Sequence, residues 1–254
     1  MLKDKVVLVT GAASGIGLAM AQGFAKESAK VVMGDVNAEK LAEEAKKIGT
    51  STFLAGDISK REACKALVDY AIEKCGKVDV LINVAGVQTV SKIDEFPEDR
   101  WDFMIDLMLN APFYLTRYCW PSMAKSGWGR IINISSIHGL VASEYKSAYI
   151  SAKHGLMGLT KTTGIEGGPL GITVNAICPA YVRTPLVDGQ IAKQAETHGI
   201  SEEEVISKIM LQKSFIKKLI EPSTVADMAI FLCSETASGM TGSSIVMDGG
   251  WIQS

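Results

Sequence analysis

The sequence predicts an α/β fold, doubly wound about one parallel sheet, on three observations. Short runs rich in valine and isoleucine recur along its 254 residues, and amphipathic stretches with helical spacing alternate with them. A glycine-rich turn joins the first run to the first helix. Runs that are apolar at consecutive positions, rather than at alternate ones, need cover on both faces, as parallel strands between helices have. The regular β–α alternation then selects one doubly wound sheet over a sandwich or a bundle.

In chain order the predicted strands are KVVLVT (5–10), KVVMGD (30–35), STFLAG (51–56), VDVLIN (78–83), GRIINIS (129–135), GITVNAI (171–177) and GSSIVM (242–247). Stretches such as LAMAQGFAKES and KREACKALVDYAIEKCG carry the helices between them. No Pro- or Ser-rich linker and no internal repeat divides the chain, so residues 1–254 read as one domain. Residues 183–220, RTPLVDGQIAKQAETHGISEEEVISKIMLQKSFIKKLI, break the rhythm with polar helical sequence where a short connection would serve. An insertion of that size after a strand is expected to be a lid over the ligand site; a surface helical pair or an oligomer contact is the plainer alternative.

Composition narrows the function. With 26 basic against 28 acidic residues, no cationic excess draws the protein to nucleic acid or an anionic membrane. No apolar run is long enough to cross a bilayer, and MLKDKVVLVTG is a strand entering a turn rather than a signal peptide, so a soluble cytoplasmic protein is expected. The five cysteines, at 64, 75, 119, 178 and 233, have no metal-ligand spacing and read as reduced packing residues, with no metal site.

The turn TGAASGIG (10–17) is where chemistry enters. Gly11 permits the tight bend, Gly15 lets backbone approach a pyrophosphate, Gly17 allows close helix–strand packing, and the helix N-terminus offers N–H groups to phosphate. Its position between strand and helix makes the pattern much more specific than glycines alone. Asp35 follows Gly17 by eighteen residues, where a carboxylate accepts hydrogen bonds from both ribose hydroxyls. It would repel a 2′-phosphate, and no arginine or lysine stands beside it, so NAD is expected over NADP. Helix capping falls more naturally to Asn37 than to Asp35.

With the TGxxxGxG turn, NVAG at 83–86 and Tyr-x-x-x-Lys at 149–153, the chain resembles the short-chain dehydrogenase/reductase family nearly end to end. The resemblance implies a seven-stranded Rossmann sheet, a homotetramer, and Ser136, Tyr149 and Lys153 as catalytic residues. It also implies that Ser14 and Ile16 join the glycines at the cofactor, and that Asp57 and Ile58 hold the adenine. Asn83, Ala85 and Gly86 would flank the adenosine, while Pro179, Val182 and Thr184 would embrace the nicotinamide. Chemistry agrees on the central pair. Tyr149 and Lys153 are four apart and share a helix face, whereas Tyr145 has no such lysine. Bringing a phenol from about 10 to neutrality takes about 4 kcal/mol, which an ammonium and the positive nicotinamide can supply in a water-poor cleft.

Within the family, SSIHGLVAS, KSAY, AKHG and VRTPLV resemble the bacterial branch that oxidises D-3-hydroxybutyrate. By that similarity Gln88, His138, Lys146 and Gln190 bind the substrate carboxylate, and Trp251 closes the pocket beside the methyl end. A cation with amide and imidazole donors suits a short carboxylate. A solvated Lys146 and a loop-bracing His138 are the plainer readings; His154 and His198 read as surface residues. Ser147 is a plausible N-cap, which would leave Lys146 just outside the helix.

Two departures from the family pattern stand out. Val84 replaces the second asparagine of its NNAG motif. The helical asparagine offered to a proton-relay water falls on Met108, with Asn110 two residues on and about 200° around a regular helix. Pro112 cannot donate to the Met108 carbonyl four residues earlier, so that carbonyl is expected to hold the relay water. The expected activity is NAD-dependent interconversion of (R)-3-hydroxybutyrate, a hydroxy acid, and acetoacetate, its keto acid. A related enzyme for a sugar alcohol or 3-oxoacyl thioester, and an NAD-binding module without catalysis, are the alternatives.

Overall fold

The computed structural model describes residues 2–254, apart from the side chain at 186. Strands β1 (Val6–Thr10), β2 (Lys30–Asp35), β3 (Ser51–Ala55), β4 (Val80–Asn83), β5 (Gly129–Ile134), β6 (Ile172–Pro179) and β7 (Ser244–Met247) form one parallel sheet in the order β3-β2-β1-β4-β5-β6-β7. All seven predicted strands are present. Their ends differ by a residue or two, most at β6, which runs on to Pro179 because Pro179 still pairs with Met247.

Helices α1 (Gly15–Lys26), α2 (Ala38–Ile48) and α9 (Pro222–Leu232) cover one face; α3 (Arg61–Cys75), α4 (Glu98–Ile105), α5 (Ala111–Ser126) and α6 (Ser147–Gly167) cover the other. The alternation of β1 shows why these strands are apolar throughout. Val7 and Val9 pack with Met20, Phe24 and Leu41 on one side, and Val6 and Leu8 pack with Leu67, Leu115 and Met123 on the other. Each fully buried side chain of this size is worth about 1.5–3 kcal/mol. All five cysteines are free thiols, and four are buried. Asn37 caps α2, its side-chain oxygen accepting the Lys40 N–H at 3.0 Å.

The strand order reverses between β1 and β4. Ligands of open α/β sheets bind beside such a switch point, at the carboxyl ends of the strands. Here that edge carries the glycine turn after β1, Asp35 closing β2, Asn83 closing β4, and Pro179 closing β6.

The insertion is a discrete piece. Helix α7 (Pro185–His198) starts at Thr184, whose hydroxyl accepts the Val187 N–H, and α8 (Glu202–Glu204) starts in a Ser201–Glu204 capping box. A π-helical turn follows over Val205–Met210. Ile191, Val205, Met210, Leu211 and Leu219 make a small core separate from the sheet's. Its two ends meet in a seam: Arg183 N–H donates to the Ile220 carbonyl at 2.8 Å, and Ile220 N–H to the Tyr181 carbonyl at 3.0 Å.

Two expectations are corrected. Ser147 is the first helical residue of α6 rather than its cap; Lys146 holds the cap position without a side-chain cap bond, following Tyr145, whose φ of +65° turns the chain. The segment between α4 and α5 is not regular helix but a π turn over Asp106–Asn110, in which Ala111 N–H reaches five residues back to the Asp106 carbonyl.

Candidate active site

One cleft of about 1370 Å³ opens along this carboxyl edge. At one end lies the glycine turn, with Gly11, Ser14, Gly15, Ile16 and Gly17 all on its wall. Gly11 has φ +63°, a conformation side chains resist. A Cβ on Gly17 would overlap the Gly11 carbonyl and stand 2.6 Å from its carbon, so the helix start lies hard against the strand end. The Asp35 carboxylate is braced from both sides, accepting Ala13 N–H at 3.0 Å and Asn37 N–H at 2.9 Å. Beside it, Val36 is 73% exposed, an apolar platform without a cation. Asp57 accepts the Ser59 N–H at 3.0 Å, and Ile58 is buried next to it. These features fit a dinucleotide: N–H groups and bare backbone for the pyrophosphate, a fixed carboxylate for a ribose.

Ala85, Gly86, Pro179, Val182 and Thr184 also line the cleft, whereas Asn83 does not. Asn83 is buried beneath the cleft, its amide donating to the Asn133 side chain at 2.8 Å, and Asn133 in turn donates to Thr160 of α6 at 2.9 Å. Its side chain thus ties β4 to β5 and α6. Val84 leaves its neighbours anchored, since the Thr10 hydroxyl accepts the Val84 and Ala85 N–H groups at 3.0 and 3.3 Å.

Midway along the cleft, β5 and α6 bring Ser136, Tyr149 and Lys153 together. Lys153 is 3% exposed; its ammonium donates to the Ile134 carbonyl at 2.7 Å and lies 5.6 Å from the Tyr149 ring centroid. Burial pulls the Lys153 pKa down to about 8. For Tyr149, desolvation raises the pKa above the ordinary phenol value, and the Ser136 hydroxyl opposes this without reversing it. The protein walls alone therefore do not acidify the phenol: desolvation outweighs the Ser136 hydrogen bond, and Lys153 directs a donor to the Ile134 carbonyl.

His138 stands next to the phenol, edge-on at 6.2 Å between ring centroids. Its N–H of the main chain donates to Ser136 Oγ at 3.1 Å, while its Nε2 is buried with no hydrogen-bond partner. Desolvation first, then the Lys146 charge, lowers its pKa to about 4 from 6.5, so the ring is neutral at physiological pH. The folding stability tied to that neutral ring is complete above pH 6.5 and is lost as pH falls toward about 4, because only the unfolded chain takes up the proton in between. Melting temperatures recorded from pH 7 to 4 are expected to fall more for the wild type than for His138→Asn; parallel curves would remove this source of acid sensitivity.

Lys146, Gln88, Gln190 and Trp251 complete the same section of the cleft. Burial lowers the Lys146 pKa. The Tyr145 carbonyl accepts the Ser91 N–H at 3.0 Å, joining the loop that carries Lys146 to the loop that carries Gln88. Gln190 comes from α7 of the insertion, and Trp251 from the C-terminal tail, its ring 6.1 Å from that of His138. His154 and His198 are exposed. Met108 is packing: it is buried, and a Cβ on Gly86 would lie 3.4 Å from its sulfur. Asn110 turns inward on its own helix, donating to Asp106 at 2.7 Å, while Leu107 is the residue of this turn that lines the cleft.

Sequence reasoning missed Lys213, which lines the cleft with its ammonium 4.8 Å from the Trp251 ring centroid. No spacing signals it, since 213 and 251 meet only through the fold.

The family model described as enoyl-(acyl carrier protein) reductase matches residues 11–252. The D-beta-hydroxybutyrate dehydrogenase of Rhizobium meliloti (strain 1021) is 45% identical, over 97% of this chain and 98% of its own. The protein so named in Cupriavidus necator is 41% identical, over 99% of both. Among solved structures, L-sorbose reductase from Gluconobacter frateurii, complexed with NADPH and L-sorbose, has a TM-score of 0.95 and 31% identity, covering 100% of this chain and 98% of that one.

Proposed function

The chain belongs to the short-chain dehydrogenase/reductase family of oxidoreductases, and from that premise we propose that it interconverts (R)-3-hydroxybutyrate and acetoacetate with NAD. One observation carries the substrate: a half-buried lysine, Lys146, and a neutral histidine with a free Nε2 share a cleft wall with Tyr149. A short carboxylate satisfies both. It accepts from the imidazole, neutralises Lys146, and takes amide donors from Gln88 and Gln190.

The cofactor, when bound, supplies the hydride acceptor and a positive ring charge. The chain's own residues do the rest. Tyr149 acts as the phenolate, takes the hydroxyl proton and becomes the neutral phenol; Ser136 orients the reacting oxygen, and the Lys153 ammonium beside the ring favours the phenolate form. Trp251 closes the substrate pocket beside His138. Residues 183–220 act as the lid, and the homotetramer belongs to the same reading. Steady-state NAD reduction across both enantiomers of 3-hydroxybutyrate, longer 3-hydroxy acids and neutral secondary alcohols tests it. Preference for the (R)-acid is expected, and equal turnover of a neutral alcohol would sink the carboxylate clamp.

A second reading, reduction of a sugar ketone with NADPH, is favoured by the likeness to L-sorbose reductase. Asp35 opposes it, because its carboxylate is pinned by two N–H groups and faces any 2′-phosphate. NAD is expected to exceed NADP by at least about 100-fold in kcat/KM, in line with about 3 kcal/mol of charge repulsion. Asp35→Ser should narrow that gap at least tenfold. Equal use of both cofactors by the wild type, or a ratio unmoved by Asp35→Ser, overturns the assignment.

A further inference from the structure

We propose that Lys213 is a specificity-determining residue, the second cation of the carboxylate site, carried into it by the insertion. The inference rests on the hydroxy-acid reading above and extends it. Lys213, Trp251, His138 and Tyr149 stand in file: ammonium to indole centroid 4.8 Å, indole to imidazole 6.1 Å, imidazole to phenol 6.2 Å. Successive neighbours thus connect the insertion to Tyr149.

Two nearby lysines are already committed. Lys208 pairs with Glu204 at 2.7 Å, and Lys217 donates to the Leu211 and Gln212 carbonyls at 2.7 and 2.8 Å. Lys213 has no ion-pair partner among the described residues and lines the cleft. Its backbone is held from the far side. The Ser214 hydroxyl donates to the Asp248 carbonyl at 3.4 Å, and Phe215 N–H to the Gly249 carbonyl at 2.8 Å, so the lysine and Trp251 are fixed to one tail. An ammonium on an exposed indole face gains only about 0.5–1 kcal/mol, little enough for an incoming carboxylate to draw it away. Lys146 grips the anion from the cap of α6 while Lys213 meets it from the insertion, so an anionic substrate favours the closed arrangement more than a neutral one does.

The test compares Lys213→Met, which keeps the stem over Trp251, with Lys213→Arg, which keeps the charge. For Lys213→Met, the KM for (R)-3-hydroxybutyrate and the inhibition constant of acetate should each rise about 5–10-fold, with kcat and the KM for NAD within about twofold. The salt dependence of kcat/KM should weaken in the same variant. Lys213→Arg should stay within about twofold of wild type throughout. Unchanged substrate KM and acetate inhibition in Lys213→Met overturn the proposal, as does a uniform loss that includes kcat and the KM for NAD. A wild type indifferent to the substrate's carboxylate overturns the hydroxy-acid reading and this proposal together. A selective wild type with an unaffected Lys213→Met overturns this proposal alone.

Discussion

Tyr149→Phe is expected to lower kcat for hydroxybutyrate oxidation by at least about 10³-fold, equivalent to about 4 kcal/mol in the transition state. The loss should leave NAD affinity within about twofold and the melting temperature nearly unmoved. The reason is geometric: the ring sits in a packed wall beside His138 and above Lys153, so phenylalanine fills the same space and only the proton acceptor is gone. Tyr145 supplies the control. It lines the same cleft but is 51% exposed, and Tyr145→Phe should leave turnover within about twofold. Steady-state kinetics with a fluorescence titration of NAD separates chemistry from binding. Turnover surviving in Tyr149→Phe would transfer the proton acceptor to another group and undo the mechanism.

Gly17→Ala should be the most damaging single methyl in the nucleotide half. The added carbon meets the Gly11 carbonyl and stands 3.1 Å from the Ala12 nitrogen, both backbone atoms with no rotamer to yield. A cost of about 3 kcal/mol is expected for such overpacking, lowering the melting temperature by about 6–12 °C. NAD affinity should fall at least about tenfold, because the turn that cradles the phosphates must open. Gly158→Ala is the matched comparison: it lies within α6 and a Cβ there meets nothing within 4 Å. That change should add up to about 1 kcal/mol of helix stability instead. Calorimetry of both variants decides the matter, and similar melting temperatures would discard the cradle argument.

The sheet was legible because both of its faces are covered, so β1 is apolar up to its final threonine and β2, β4, β5 and β6 are dominated by consecutive apolar residues. Asp35 was placed by its distance from the glycine turn, which the βαβ unit holds nearly constant. Side-chain direction was harder to read. Asn83 belongs to a motif at the cleft, but the pleat sends its amide toward Asn133, and no spacing reveals that. Pro112 announced a disturbed helix. It did not announce a π turn, since a missing N–H fits either register. Ser147 resembles an N-cap in composition, yet the left-handed turn at Tyr145 shifts the helix start by one. Lys213 needed the tertiary fold outright.

The seam at Tyr181, Arg183 and Ile220 has a consequence for how this protein can change over generations. Everything between its two hydrogen bonds rests on a satellite core of its own, with Leu219 and Ile191 inside it. Substitutions there charge their cost to that small cluster rather than to the nucleotide half. Ligand preference can therefore drift, or be swapped as a cassette by an engineer, while the redox platform stays inherited intact.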